Sequence, residues 1–408
     1  MKKNLILGQS GGPTAVINCS LYGAVQEGFR KEEIDKVYGM VNGIEGFLRG
    51  DYLDFQEMKD NGSVEKLLYT PGAFLGSCRY KLPEDLSDPV YDEILKKLEE
   101  MNIGYFCYIG GNDSMDTVSK LSRYAAGTDT SIRFIGIPKT VDNDLVLTDH
   151  TPGFGSAARY VAYTVKEIAY DLSVYNAKSV TIVEIMGRHA GWLTAASRLA
   201  RETENGNPYL IYLPEAAFDV ETFVAQVEKA LEVCPNLMVC VSEGIKDKDG
   251  VFICEYDSKA GVDSFGHKML TGCGKYLERL IQDRLKIKAR SVELNVCQRC
   301  SAMMMSKTDQ TEAASAGAFG VNAAVNGETG KMAAFVRKEG GVYEMECTLQ
   351  DVNLICNEEK TVPTDWIIKD GTDVSEEFVA YALPLIQGKV EVPENENGLA
   401  DFVKRAGK

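Results

Sequence analysis

Short apolar runs alternate with helical stretches along most of the chain, and glycine, polar or charged residues gather just past each apolar run. This alternation constrains the fold more than any other feature. A buried strand followed by a helix of this length returns to a parallel neighbour, so the pattern predicts an α/β fold with parallel strands. Residues 3–7 read as a strand, 8–13 as a glycine loop and 15–29 as a helix. Strands at 104–109 and 132–137 lead into Gly110-Gly111-Asn112-Asp113-Ser114 and Pro138-Lys139-Thr140-Val141-Asp142-Asn143-Asp144, the first of these loops opening a helix at about 114–125. A strand at 179–185 runs into Met186-Gly187-Arg188 and a helix near 190–200, and strands at 210–213 and 237–242 follow, the latter meeting Glu243-Gly244. In open α/β sheets, ligands bind outside the carboxyl ends of the strands, where all these loops fall.

The 408 residues are 45% hydrophobic, enough for two or three well-packed domains and too apolar for bulk disorder. No stretch reaches the ~18–20 consecutive apolar residues of a membrane helix, and the apolar run after Lys2-Lys3 is too short for a signal peptide. Eleven cysteines in so long a chain imply reduced thiols and a cytoplasmic location. The net charge of −16 argues against nucleic-acid and anionic-membrane partners. An anionic ligand would need positive charge concentrated locally. Residues 247–274, with five glycines, are expected to cover a site or an interface, and the polar stretch 393–408 to be a peripheral tail.

Each loop has a bland reading beside a chemical one. The first glycine loop could be a plain tight turn. It lacks the Gly-Lys-Ser/Thr of a P-loop and the spacing of the dinucleotide fingerprint, yet backbone N–H groups at a helix start favour phosphate. Asp113 could simply cap the helix that follows. Asp142 and Asp144 could be a solvated acidic turn. Two residues apart in an extended segment they share a face, and beside Lys139 they offer a base and a possible metal ligand next to a cation. Arg188, Arg290 and Arg299 could be surface ion-pair partners; with Lys139 they could form the cationic cluster that an acidic protein needs to bind phosphates. His150, His189 and His267 lack Zn-like spacing and read as structural, Cys297-x-x-Cys300 reads as incidental, and Trp192 as core.

The combination Gly-Gly-Asn-Asp-Ser, Pro-Lys-Thr-Val-Asp-Asn-Asp, Met-Gly-Arg, Ser-Glu-Gly and Gln298-Arg299 resembles the phosphofructokinase family in order and spacing, from about residue 4 to residue 330. The resemblance implies two Rossmann-like three-layer α/β/α domains with mainly parallel sheets. A donor domain would span 1–150 and a fructose 6-phosphate domain 151–297, with a segment 298–408 crossing back over both. It implies Asp142 as the base taking the proton of the sugar's 1-hydroxyl, and Thr140, Asp144, Met186, Gly187, Arg188, Glu243 and Arg299 as sugar-phosphate contacts, with Arg290 on the 6-phosphate. Gly11 matches the donor phosphate loop, and Arg79 the arginine that reaches the transferred group. ATP-using members usually carry glycine at the positions of Asp113 and Lys139. Both residues here resemble the pyrophosphate-dependent branch, with Asp113 occupying the place of the α-phosphate of ATP and Lys139 neutralising pyrophosphate.

The expected activity is therefore a reversible, Mg²⁺-dependent transfer from pyrophosphate to fructose 6-phosphate by a homodimer or homotetramer. An ATP-dependent enzyme of the same fold and a non-catalytic sugar-phosphate-binding subunit are the alternatives. Lipid or NAD kinases share Gly-Gly-Asp loops but not the Met-Gly-Arg with the paired aspartates. The chain departs from the family pattern at Asn112, where many members place a Mg²⁺-associated aspartate, and at Val296, where a histidine is frequent. The resemblance implies that Asn112 is the metal-associated position in this chain.

Overall fold

The computed structural model describes residues 2–174, 176–256, 272–356 and 358–406. His267 and most of the glycine-rich stretch expected to cover a site lie outside these residues. The strands of the two main sheets are β1 (Lys3–Gln9), β2 (Ile34–Met40), β3 (Tyr52–Asp54), β4 (Ile103–Gly110), β5 (Arg133–Pro138), β6 (Ser179–Ile185), β7 (Leu210–Tyr212), β8 (Asn236–Ser242), β9 (Lys288–Glu293), β10 (Lys331–Arg337) and β11 (Met345–Asp351). They form a seven-stranded sheet ordered β11-β10-β5-β4-β1-β2-β3 and a four-stranded sheet ordered β7-β8-β6-β9. All neighbours pair in parallel except the outermost strands of the larger sheet, β3 and β11. A doubly wound, mainly parallel α/β architecture is what the sequence pattern demands, because strands buried on both faces read as unbroken apolar runs.

In β1, Leu5 and Leu7 pack with Ile17 and Leu21 of helix Ile17–Arg30, and Ile6 packs on the other face with Phe106 and Phe134. The smaller sheet repeats this, with Val183 and Ile185 against Phe154 and Trp192, and Val180 and Ile182 against Phe223 and Leu277. Each such side chain contributes about 1.5–3 kcal/mol by leaving water. Residues past 300 complete both halves: helix Lys307–Val325 lies on helix Ile17–Arg30, β10 and β11 extend the larger sheet, and Val374, Phe378 and Leu385 enter the core of the smaller one. Among the described residues, no helix is long and apolar enough to cross a membrane.

The helix pair depends on two glycines. A Cβ on Gly23 would lie 1.9 Å from the Ala314 carbonyl oxygen, and one on Gly317 would lie 2.0 Å from that of Ser20. Gly23→Ala gains helix propensity of about 1 kcal/mol but forces the backbones apart, an overpacking cost of about 1–3 kcal/mol or more. The urea midpoint of the variant is expected to fall; an unchanged or higher midpoint would contradict this packing.

The stretch expected to be a peripheral tail is tied to the surface of the larger sheet's domain. Val403 N–H donates to Thr70 Oγ1 at 3.0 Å, Ala406 N–H to the Phe74 carbonyl at 3.0 Å, and Lys66 pairs with Asp401 at 2.6 Å. The physical reason is apolar: Val403 and Ala406 pack on the core of the larger sheet, which the many charges around them conceal in the sequence.

Candidate active site

The carboxyl ends of both parallel sheets open onto one cavity of about 740 Å³. Gly11 and Gly12 reach it from the turn after β1, Asn112 and Asp113 from the helix start after β4, and Lys139, Thr140, Asp142 and Asp144 from the turn after β5. Across from them stand Met186 and Arg188 after β6, Glu243 after β8 and Arg299 on the short helix Cys297–Cys300. Arg79 enters from the loop between residues 69 and 88. Gly187 lies between Met186 and Arg188 without lining the cavity, and its N–H donates to Glu243 Oε1 at 3.3 Å.

Arg290 lies farther away. It stands on β9, the edge of the smaller sheet, and does not line the cavity; its guanidinium donates to Thr181 Oγ1 at 3.1 Å and to Asp171 Oδ2 at 3.3 Å. Spacing from Arg299 places it on a strand but does not say toward which neighbour that strand faces.

At the first loop the left-handed backbone favours glycine at Gly11, and both glycines leave room for the cations behind them. Gly11 has φ +77°, and a Cβ there would stand 3.3 Å from Lys139 Nζ; one on Gly12 would stand 3.3 Å from Arg299 Nη1. Lys139 is 2% exposed and donates to the Gly12 carbonyl at 2.7 Å. Ser77 Oγ donates to the Gly11 carbonyl at 2.7 Å, holding the Arg79 loop on the glycine turn.

Burial lowers the Lys139 ammonium to about 8 despite Asp142 and Asp144, with Arg299 adding to the fall. Burial also raises the Asp142 carboxyl, opposed by Lys139, Arg299 and Arg188, and raises that of Asp144, where the Asp142 charge acts in the same direction. Glu243 is pushed up to about 7 by burial. Asp142 N–H donates to Thr140 Oγ1 at 3.1 Å, which turns the chain so that both aspartates border the cavity. Asp144 Oδ1 is a buried oxygen without a hydrogen-bond partner, an acceptor placed for a ligand hydroxyl.

Asp113 does not cap its helix. The helix Asn112–Ala126 begins two residues earlier than its sequence suggests, with Gly111 at the N-cap, and Asp113 instead pairs with Lys81 at 3.0 Å in an exposed position. Lys81 lines the cavity and gave no sequence signal, being a lysine two residues past Arg79 in irregular chain. His189, expected to be structural, also borders the cavity, whereas His150 is buried between Asp149 at 2.8 Å and Glu312 at 2.7 Å. Cys297 and Cys300 are exposed free thiols, and Trp192 is core at 3% exposure.

No group of three or more His, Cys, Asp or Glu among the described residues could enclose a metal ion. Asn112 donates its amide nitrogen to the Glu358 carbonyl at 2.7 Å, so a metal contact from it has to come through Oδ1. This donor set fits an ion carried mainly by phosphate oxygens and water, as Mg²⁺ commonly is.

The phosphofructokinase family model matches residues 4–324. The pyrophosphate–fructose 6-phosphate 1-phosphotransferase of Halomonas elongata is 37% identical over 99% of this chain and 96% of its own length. That of Rhodospirillum rubrum is 40% identical over 94% of each. An ATP-dependent 6-phosphofructokinase of Streptomyces coelicolor is 32% identical over 80% of this chain and 88% of its own. The crystal structure of a pyrophosphate-dependent phosphofructokinase from Nitrosospira multiformis superposes with a TM-score of 0.90 at 33% identity, covering 100% of this chain and 98% of that one. By sequence over nearly its whole length, and by a cavity built from the carboxyl ends of two parallel sheets, the chain belongs to the phosphofructokinase family.

Proposed function

We propose that the protein transfers a phosphoryl group from pyrophosphate to the 1-hydroxyl of fructose 6-phosphate, reversibly, giving fructose 1,6-bisphosphate and phosphate. The observation that carries this reading is the placement of buried Lys139 against the glycine turn, with Asp113 at the same cavity's mouth. An ammonium that desolvated attracts a compact polyanion strongly, and Asp113 with Lys81 occupies the space a longer, nucleoside-bearing donor needs. The names of the most similar relatives support the same donor and sugar.

In this mechanism Gly11 and Gly12 offer backbone to the donor phosphates, and Lys139 and Arg79 neutralise the charge that spreads over the transferring group. Thr140, Asp144, Met186, Gly187, Arg188, Glu243 and Arg299 hold the sugar phosphate, Asp144 Oδ1 accepting from a sugar hydroxyl. Asp142 accepts the proton of the 1-hydroxyl as its oxygen bonds to phosphorus and the bond to the leaving phosphate breaks. Asn112 Oδ1 would be the protein's contact to Mg²⁺, which when bound supplies charge neutralisation and alignment of the phosphates. Arg290 meets the 6-phosphate only if a second copy of the chain brings its β9 edge to the cavity, which favours a homo-oligomer. The eleven free cysteines fit a reducing cytoplasm.

The reverse direction tests the reading. Fructose 1,6-bisphosphate with orthophosphate and no nucleotide is expected to yield pyrophosphate and fructose 6-phosphate. A requirement for ADP in that direction would point to the ATP-dependent alternative.

A further inference from the structure

The turn that carries both aspartates is closed by its own hydrogen bonds, Thr151 N–H to Asn143 Oδ1 at 3.1 Å and Thr151 Oγ1 to the Thr140 carbonyl at 2.9 Å, and is held from outside as well. Between β5 and residue 150 it contains two non-glycine residues in the left-handed region, Asn143 at φ 55° and Leu147 at φ 60°, conformations that L side chains rarely adopt. A segment more than 200 residues away in sequence adds to the bonds that hold it. Lys360 N–H donates to the Asp144 carbonyl at 2.7 Å, and its ammonium donates to the carbonyls of Thr148 at 3.1 Å and Asp149 at 2.6 Å. One side chain and its own backbone thus span the turn from one end to the other.

Lys360 is itself anchored away from the turn. Trp192 Nε1 donates to its carbonyl at 2.9 Å, and its ammonium lies 5.1 Å over the Trp192 ring. Two residues on, Val362 N–H donates to Glu215 Oε1 at 2.9 Å, the same oxygen that accepts from Gly191 N–H at 2.8 Å. The strap therefore ties the turn after β5 to the segment after β6. A second clamp comes from Tyr381, whose hydroxyl donates to the Asp149 carbonyl at 2.7 Å and accepts from Asn143 Nδ2 at 2.8 Å. Neither Lys360 nor Tyr381 lines the cavity, so neither touches the reacting atoms.

We propose that Lys360 is a positioning residue for phosphoryl transfer: through the carbonyls of Asp144, Thr148 and Asp149 it holds the left-handed turn in the one shape that presents Asp142 and Asp144 to the cavity, with Tyr381 as its partner. The inference rests on the reading of Asp142 as base. Catalytic geometry is sensitive to displacements of about 1 Å, with losses of around 10²-fold, so releasing the turn acts on turnover more than on donor binding, which the glycine turn and Lys139 provide.

The test is a double-mutant cycle on the full-length enzyme. Lys360→Met keeps the length of the side chain and removes the ammonium; Tyr381→Phe removes one hydroxyl and little else. With folded fraction fixed by thermal unfolding, Lys360→Met is expected to lower kcat about 10–100-fold, with the KM for pyrophosphate within about threefold of wild type. In an Asp142→Asn background the same substitution is expected to cost little, because the group it positions is already disabled. Tyr381→Phe is expected to show the same pattern at smaller amplitude, and it stands in if Lys360→Met fails to fold. Losses that multiply across the cycle, or wild-type kcat in both variants while Asp142→Asn is inactive, would refute the positioning role alone. Wild-type kcat in Asp142→Asn would overturn the base reading and this inference together.

Discussion

Asp142→Asn is expected to lower kcat by about 10²–10⁴-fold, the range for losing a general base, while the KM for fructose 6-phosphate changes by no more than a few-fold. Asparagine keeps the volume and the backbone N–H bond to Thr140 Oγ1 but cannot accept the hydroxyl proton. The environment of Asp142 decides the pH dependence. Burial raises its carboxyl, so the ionised, competent form is lost as pH falls through that raised value. Burial lowers Lys139 to about 8, so the charged form that neutralises the donor is lost as pH rises past about 8. The profile of kcat/KM for the wild type should therefore be a bell with its alkaline limb near 8. Bound pyrophosphate favours the protonated ammonium, so the alkaline limb of kcat should lie higher than that of kcat/KM. Asp142→Asn should remove the Asp142 contribution to the acidic limb and leave that of Asp144 and Glu243, whose carboxyls burial also raises. A variant with full turnover and an intact acidic limb would remove Asp142 as the base.

The donor pair is the second large effect. Lys139→Gly should reduce kcat/KM for pyrophosphate by about 10²–10³-fold, as expected for deleting a preorganised group aimed at developing charge. Asp113→Gly should raise the use of ATP by about tenfold. From charge alone, a carboxylate ~4 Å from a phosphate would cost about 4 kcal/mol, but Asp113 is exposed and paired with Lys81, which solvent and the lysine both discount. Exclusion then rests chiefly on occupied space. Asp113→Asn, which removes the charge and keeps the volume, should consequently gain far less ATP activity than Asp113→Gly. Equal gains in the two variants would return the effect to electrostatics, and no gain in Asp113→Gly combined with Lys139→Gly would remove this pair as the determinant of donor choice.

Much of this site could be read from the chain because strand ends in a parallel α/β fold are marked twice, by the buried run that stops and by the glycine or charged loop that follows. Ser179–Ile185 and the turns holding Lys139, Asp142, Arg188 and Glu243 fall where that rule puts them. What escaped was geometry that no local pattern encodes. The helix after β4 starts at Asn112, and the two-residue shift turns Asp113 from a cap into a partner of Lys81. Arg290 lies nine residues before Arg299 yet stands on the sheet edge, because residue spacing fixes register and not what an edge strand faces. Lys360 and Tyr381 lie more than 200 residues from the turn they hold, and Val403 reaches Thr70 from a stretch whose charges suggest solvent.

Side-by-side kcat/KM values for pyrophosphate and ATP, with fructose 6-phosphate as acceptor and Mg²⁺ present, bear most directly on the donor assignment. Together the loss of neutralisation and the occupied space predict a preference for pyrophosphate of about 10³-fold or more. Equal use of the two donors, or a preference for ATP, would contradict it.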